Sequence, residues 1–106
     1  QIDALSTFSG SGPAYVYYLI EQYSEAAIRQ GFTAEQAAVM VQGTFRGATE
    51  LLASSVLDPA ELRRRVTSPK GTTERAVAVL EDAHLADVFV HASDAAIARA
   101  RELSAE

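Results

Sequence analysis

Val66-Thr67-Ser68-Pro69-Lys70-Gly71-Thr72-Thr73-Glu74-Arg75 is the stretch of this chain whose residue types are best placed to do chemistry. Four hydroxyls, a proline, a glycine and a lysine fall within seven residues, and the following Arg75-Ala76-Val77-Ala78-Val79-Leu80 reads as helix. A helix N-terminus leaves about four backbone N–H groups without intrahelical partners, and the macrodipole adds roughly half a positive charge there. Such a place binds an anion through amides and hydroxyls, without a titratable side chain. The same residues also fit a simpler role, in which Thr72 or Thr73 is an ordinary N-cap.

Other candidate groups carry less chemistry. His84 and His91 stand seven apart without a carboxylate at ligand spacing, so they read as a helix-terminus residue and a surface residue, and no metal site is expected. Tyr15, Tyr17, Tyr18 and Tyr23 fall on one predicted helix, where packing with a wet hydroxyl is the usual aromatic role. Ser9-Gly10-Ser11-Gly12 has glycines two apart, but no strand precedes it and the third glycine of a dinucleotide fingerprint is missing. No nucleophile, general base and orienting group can be assembled, which leaves the Thr-rich loop as a binding element.

Composition narrows the class. A chain of 106 residues, 48% hydrophobic, fits one domain with a real core. A net charge of -5 argues against non-specific nucleic-acid binding, which needs clustered Lys and Arg. The one basic run, Arg63-Arg64-Arg65, reads as a solvated last turn that complements a helix dipole. The absence of cysteine excludes disulfides and thiolate metal sites and fits a reducing, cytoplasmic setting. No run approaches the length of a membrane span, and no membrane partner is expected. The chain opens at Gln1 without Met and moves at once into Ile2-Asp3-Ala4-Leu5, so it is expected to be a piece of something longer.

The elements that must position the loop all read as helices. The turn formers Ser9-Gly10-Ser11-Gly12-Pro13 predict a helix start, with Ser11 or Gly12 as cap. A first helix then runs from Ala14 to about Gln30, with Tyr15, Leu19, Tyr23, Ala26 and Ala27 as its apolar set and Gly31 as its C′ residue. Thr33-Ala34-Glu35-Gln36 has the form of a capping box for a second helix, striped by Ala37, Val41, Thr44, Phe45, Ala48 and Leu52. Gly43 and Gly47 lie within it, and each costs about 1 kcal/mol relative to Ala, so close approach of another helix is expected, from a dimer or a tight intrachain crossing. Asp58-Pro59-Ala60-Glu61 starts a short third helix to about Val66. A fourth takes Thr73 to roughly Ala83, packing through Ala76, Val77 and Leu80. A fifth takes Ala86 to Leu103, with Leu85, Phe89, Ala92, Ala96 and Leu103 in line. The fold class is therefore all-α, about five helices in an Ala-rich bundle whose small side chains predict an intertwined homodimer.

Ser9-Gly10-Ser11-Gly12-Pro13-Ala14-Tyr15, then Gly43 to Gly47 in a long helix, then Val66 to Thr73, then Arg101-Glu102-Leu103-Ser104 together resemble pyrroline-5-carboxylate reductase along essentially the whole chain. The resemblance is to the C-terminal part of that family only, a helical dimerisation and substrate-binding domain covering residues 1–106 here. It implies an N-terminal Rossmann domain that binds NADPH or NADH and is absent from this chain. The implied reaction is reduction of 1-pyrroline-5-carboxylate to proline, the last step of proline biosynthesis. By position, Ser68, Gly71, Thr72 and Thr73 would hold the substrate carboxylate, and the Thr73 hydroxyl would act catalytically at the ring nitrogen. Ser9, Gly10, Ser11, Gly12 and Pro13 would lie near the nicotinamide end of the cofactor. The implied assembly is a homodimer, alone or built into a larger oligomer of dimers, and the domain by itself is expected to be inactive. The competing reading is a non-catalytic helical dimerisation module of the same fold.

Two positions depart from the family pattern. Lys70 stands where that family usually has glycine, and Arg75 where it more often has a small or apolar residue. A positive φ at Lys70 would cost on the order of 1 kcal/mol, whereas any other φ would free its ammonium to assist a bound carboxylate or phosphate.

Overall fold

The computed structural model describes residues 4–105 and is built from helices: α1 (Ala4–Arg29), α2 (Ala34–Ser54), α3 (Pro59–Arg65), α4 (Thr72–Asp82) and α5 (Leu85–Ala105). Gln1, Ile2, Asp3 and Glu106 lie outside the described residues. The all-α class and the five-helix order agree with the sequence reading. The chain divides into two compact units, Tyr15–Thr67 and Gln1–Ala14 with Ser68–Glu106.

The largest correction concerns α1. It does not start after Ser9-Gly10-Ser11-Gly12-Pro13 but at Ala4, and it carries the whole stretch, Pro13 included, as helix. Pro13 removes a single N–H from the ladder, and the Ser9 hydroxyl donates to the Ser6 carbonyl 3.3 Å away, one turn back. Local turn chemistry is overridden because residues before it, with Thr7 buried, join the packed unit. Neither Ser11 nor Gly12 is a cap.

In the unit of residues 15–67, the caps follow the sequence closely. Gly31 takes φ 111°, its N–H donates to Ile28 O at 3.0 Å, and the Phe32 N–H donates to Ala27 O at 3.2 Å, the paired bonds of a Schellman ending. Thr33 then caps α2: its hydroxyl accepts the Gln36 N–H at 3.1 Å, and Gln36 Oε1 accepts the Thr33 N–H at 2.9 Å. Ala37 and Val41 are buried, and Tyr23 of α1 meets Phe45 of α2 edge-on with ring centroids 6.4 Å apart. Asp58 caps α3 by accepting the Glu61 N–H at 2.9 Å, with Pro59 at the first turn.

Gly43 and Gly47 give the opposite of an intrachain crossing. A Cβ at either would meet nothing within 4 Å. The tight intrachain contact allowed by the sequence is therefore excluded as their reason. Beside them, Leu51 and Leu52 stay exposed, and an apolar groove of about 760 Å³ is lined by Gly47, Leu51, Leu52, Leu57, Leu62 and Val66.

In the other unit, α5 turns Phe89, Ser93, Ala96, Ile97 and Ala100 inward, while Ala92 and Leu103 are exposed. The buried stripe thus runs through Ser93, whose hydroxyl donates to Val90 O at 3.0 Å and so satisfies itself within the helix. His84, at φ 52°, joins α4 to α5: its N–H donates to Glu81 O at 3.1 Å and its carbonyl accepts from Asp87 N at 3.0 Å. It is the helix-terminus residue expected, and His91 is exposed.

Candidate functional site

The loop before α4 is a tight turn with its shape fixed from the backbone. Gly71 N–H donates to Ser68 O at 3.0 Å across Pro69 and Lys70. Proline in the second position and positive φ in the third is the arrangement of a type II turn, which favours glycine third. Lys70 occupies that third position at φ 62°. The departure from the family's glycine is thus a left-handed lysine, at a cost on the order of 1 kcal/mol.

Gly71 is the N-cap of α4, at φ -86° and ψ 178°, and no side chain caps the helix. Neither Thr72 nor Thr73 has the ordinary capping role that the sequence allowed. Thr72 is the first helical residue, and the hydroxyls of both threonines and of Ser68 lie on exposed residues. Gly71 also sits close to the turn: an added Cβ would stand 3.1 Å from Ser68 O, so a larger residue would make the Ser68 backbone shift by a few tenths of an ångström. An 11-residue helix therefore begins with amides that no side chain closes, flanked by three hydroxyls. That arrangement suits a small carboxylate.

The turn brings Ser68 and Gly71 together, and chain continuity puts Thr72 and Thr73 at the same helix end. Ser9, Gly10, Ser11, Gly12 and Pro13 belong to the same compact unit as this loop, but as helix. Their backbone amides are spent in the α1 ladder, so they form no phosphate cradle. The residue that sequence reasoning missed is Glu74. Its Oε1 accepts the Lys70 N–H at 2.8 Å. The signal was present, since Glu74 is the third residue of α4, where a carboxylate commonly reaches back.

The Arg63-Arg64-Arg65 run closes α3 and faces solvent as expected, with Arg64 and Arg65 both paired to Glu61. Hydrogen bonds from Arg64 and then Arg65 hold the Glu61 carboxyl below the usual carboxylate range, and Glu61 raises Arg64 in turn. Among the described residues no cluster of His, Asp and Glu could hold a metal ion, and no helix is long and apolar enough to cross a membrane.

An all-helical chain with open small-residue faces and a helix start that no side chain caps is the class these features define. Residues 1–103 match the family described as pyrroline-5-carboxylate reductase dimerisation, and the chain belongs to that family. It is 41% identical over 104 residues to pyrroline-5-carboxylate reductase of Pseudomonas aeruginosa, covering 98% of this chain and 38% of the relative. It is 37% identical over 102 residues to pyrroline-5-carboxylate reductase 2 of Bacillus subtilis, covering 96% of this chain and 37% of that protein. Among solved structures it is similar to a pyrroline-5-carboxylate reductase from Coxiella burnetii, with TM-score 0.89 and 41% identity over 94% of this chain and 37% of that one. The Plasmodium falciparum pyrroline carboxylate reductase with NADP bound is also similar, with TM-score 0.84 and 29% identity over 91% of this chain and 37% of that one. The chain thus spans less than two-fifths of the length of the Pseudomonas aeruginosa and Bacillus subtilis relatives.

Proposed function

We propose that this chain is the C-terminal dimerisation and substrate-binding domain of a cytoplasmic enzyme that reduces 1-pyrroline-5-carboxylate to proline with NADPH or NADH. The observation that carries the reading is the open N-terminus of α4 at Gly71, set behind the Ser68–Gly71 turn in a chain of this family. The substrate carboxylate lies against the Thr72 and Thr73 amides and the Ser68 hydroxyl, where the helix dipole favours negative charge. The Thr73 hydroxyl donates to, or accepts from, the ring nitrogen according to its protonation, and so sets the ring plane. A protonated imine is already an electrophile, so the loop needs no strong acid or base.

Ser9, Ser11 and Pro13 serve the nicotinamide end through side chains, since the stretch is helical, and Gly10 and Gly12 leave open room beside them. The dinucleotide is held mainly by a part of the enzyme outside this chain, whose own part in the reaction is to bind and orient the imine. We place dimer contacts on the face of α2 that carries Gly43 and Gly47, with the α2–α3 groove beside it, and separately on α5. The room above both glycines and the exposure of Leu51 support it.

The test is turnover of the cyclic imine by the intact gene product with reduced nicotinamide cofactor. Proline formation supports the proposal, and a folded dimer without turnover favours a non-catalytic module. The isolated domain should form the dimer and show no turnover.

A further inference from the structure

Resting on the substrate loop proposed above, we propose that Glu74 is a positioning residue of that loop. Its carboxylate, by holding the Lys70 amide, keeps the Ser68–Gly71 turn in the form that leaves the start of α4 open to a ligand carboxylate.

In a capping box the third helical residue reaches back to the N–H of the cap itself. Here the cap N–H, that of Gly71, is already donated to Ser68 O at 3.0 Å. Glu74 therefore reaches one residue further, to Lys70 N at 2.8 Å. The consequence is directional. The carboxylate is engaged upstream of the helix end, and the Thr72 and Thr73 amides are not used by it.

The hold matters because of what it holds. Lys70 is a non-glycine residue at φ 62°, a conformation its Cβ disfavours. Relaxation of Lys70 to negative φ would undo the turn, break the Gly71-to-Ser68 bond and carry the Ser68 hydroxyl away from the helix start. Where glycine occupies the third turn position, no such tie is needed. Lys70 and Glu74 are thus a compensating pair, in which the carboxylate stabilises the backbone shape that lysine opposes.

The experiment is a double-mutant cycle in the intact gene product, with Glu74→Ala, Glu74→Gln, Lys70→Gly and the Glu74→Ala/Lys70→Gly pair. Glu74→Ala should raise KM for the imine about tenfold with a smaller change in kcat, the size of one charge-assisted hydrogen bond. Glu74→Gln keeps an acceptor oxygen and should recover most of the loss. In the Lys70→Gly background the Glu74→Ala step should shrink to about twofold or less, since glycine adopts the turn unaided. An unchanged KM in Glu74→Ala, or a full-sized step in the glycine background, overturns the proposal. Hydrogen exchange at the Lys70 amide gives a readout apart from activity: it should quicken about tenfold in Glu74→Ala, and equal rates would overturn the hold itself. A wild-type protein without turnover would instead remove the substrate reading, while the exchange rates still decide whether Glu74 fixes the turn.

Discussion

A Cβ added to Gly71 would stand 3.1 Å from the carbonyl oxygen of Ser68 and 3.3 Å from its Cβ. That oxygen also accepts the Gly71 N–H, so the turn cannot open at this point without losing its closing bond. Gly71→Ala should therefore displace Ser68, raise KM for the imine at least about tenfold, and cost up to about 1 kcal/mol of stability, since alanine is a poorer N-cap residue than glycine. Steady-state kinetics and denaturant unfolding on the same variant check both parts.

Thr73 is exposed and caps nothing, so its hydroxyl has no structural task to lose. Thr73→Val should lower kcat/KM by roughly ten- to a hundredfold while leaving the melting temperature and the dimer unchanged. Wild-type kinetics in this variant would remove Thr73 from the site.

Gly43 and Gly47 separate two accounts by sign. Within one chain nothing stands above either glycine, so alanine there should stabilise α2 by up to about 1 kcal/mol each if the face is free. If a partner helix packs on that face, the same methyl groups weaken the dimer. Sedimentation equilibrium of Gly47→Ala should show a Kd raised by about tenfold or more. A tighter or unchanged dimer would move the interface elsewhere.

Most of the element order was legible because caps are local. Thr33 with Gln36, Gly31, and Asp58 with Pro59 each act through bonds within a few residues, and each was found where the sequence put it. The start of α1 was not legible, because Ser9 to Pro13 carry turn chemistry that the packing of the segment overrides. The stripe of α5 was legible at Phe89 and Ala96 but one residue off at Ala92, which looks more apolar than Ser93 until the serine bonds its own backbone. In the loop, the residue types at Ser68, Gly71, Thr72 and Thr73 were legible, but the cap was not. A glycine cap has no side chain to read, and only the backbone reveals that the threonines are left free of that duty.

Glu61 gives a pH prediction. Its carboxyl is held below its usual range by Arg64 and then Arg65, so the folded state favours the ionised form. The stabilisation is present above the unfolded carboxylate pKa and is lost as pH falls through the lower folded value. The melting-temperature difference between wild type and Glu61→Gln should be small at neutral pH, given the exposure of the pair, and should vanish in acid and in high salt. A difference that grows on acidification would contradict the pairing.

The central claim is that the open start of α4 binds the carboxylate of a cyclic imine that is then reduced. The most direct measurement follows loss of reduced nicotinamide absorbance when the intact gene product is mixed with 1-pyrroline-5-carboxylate, for wild type and Gly71→Ala. The wild type should show saturable turnover to proline, and Gly71→Ala a sharply raised KM. No turnover by a folded, dimeric wild type, or equal KM in the two proteins, would contradict the claim.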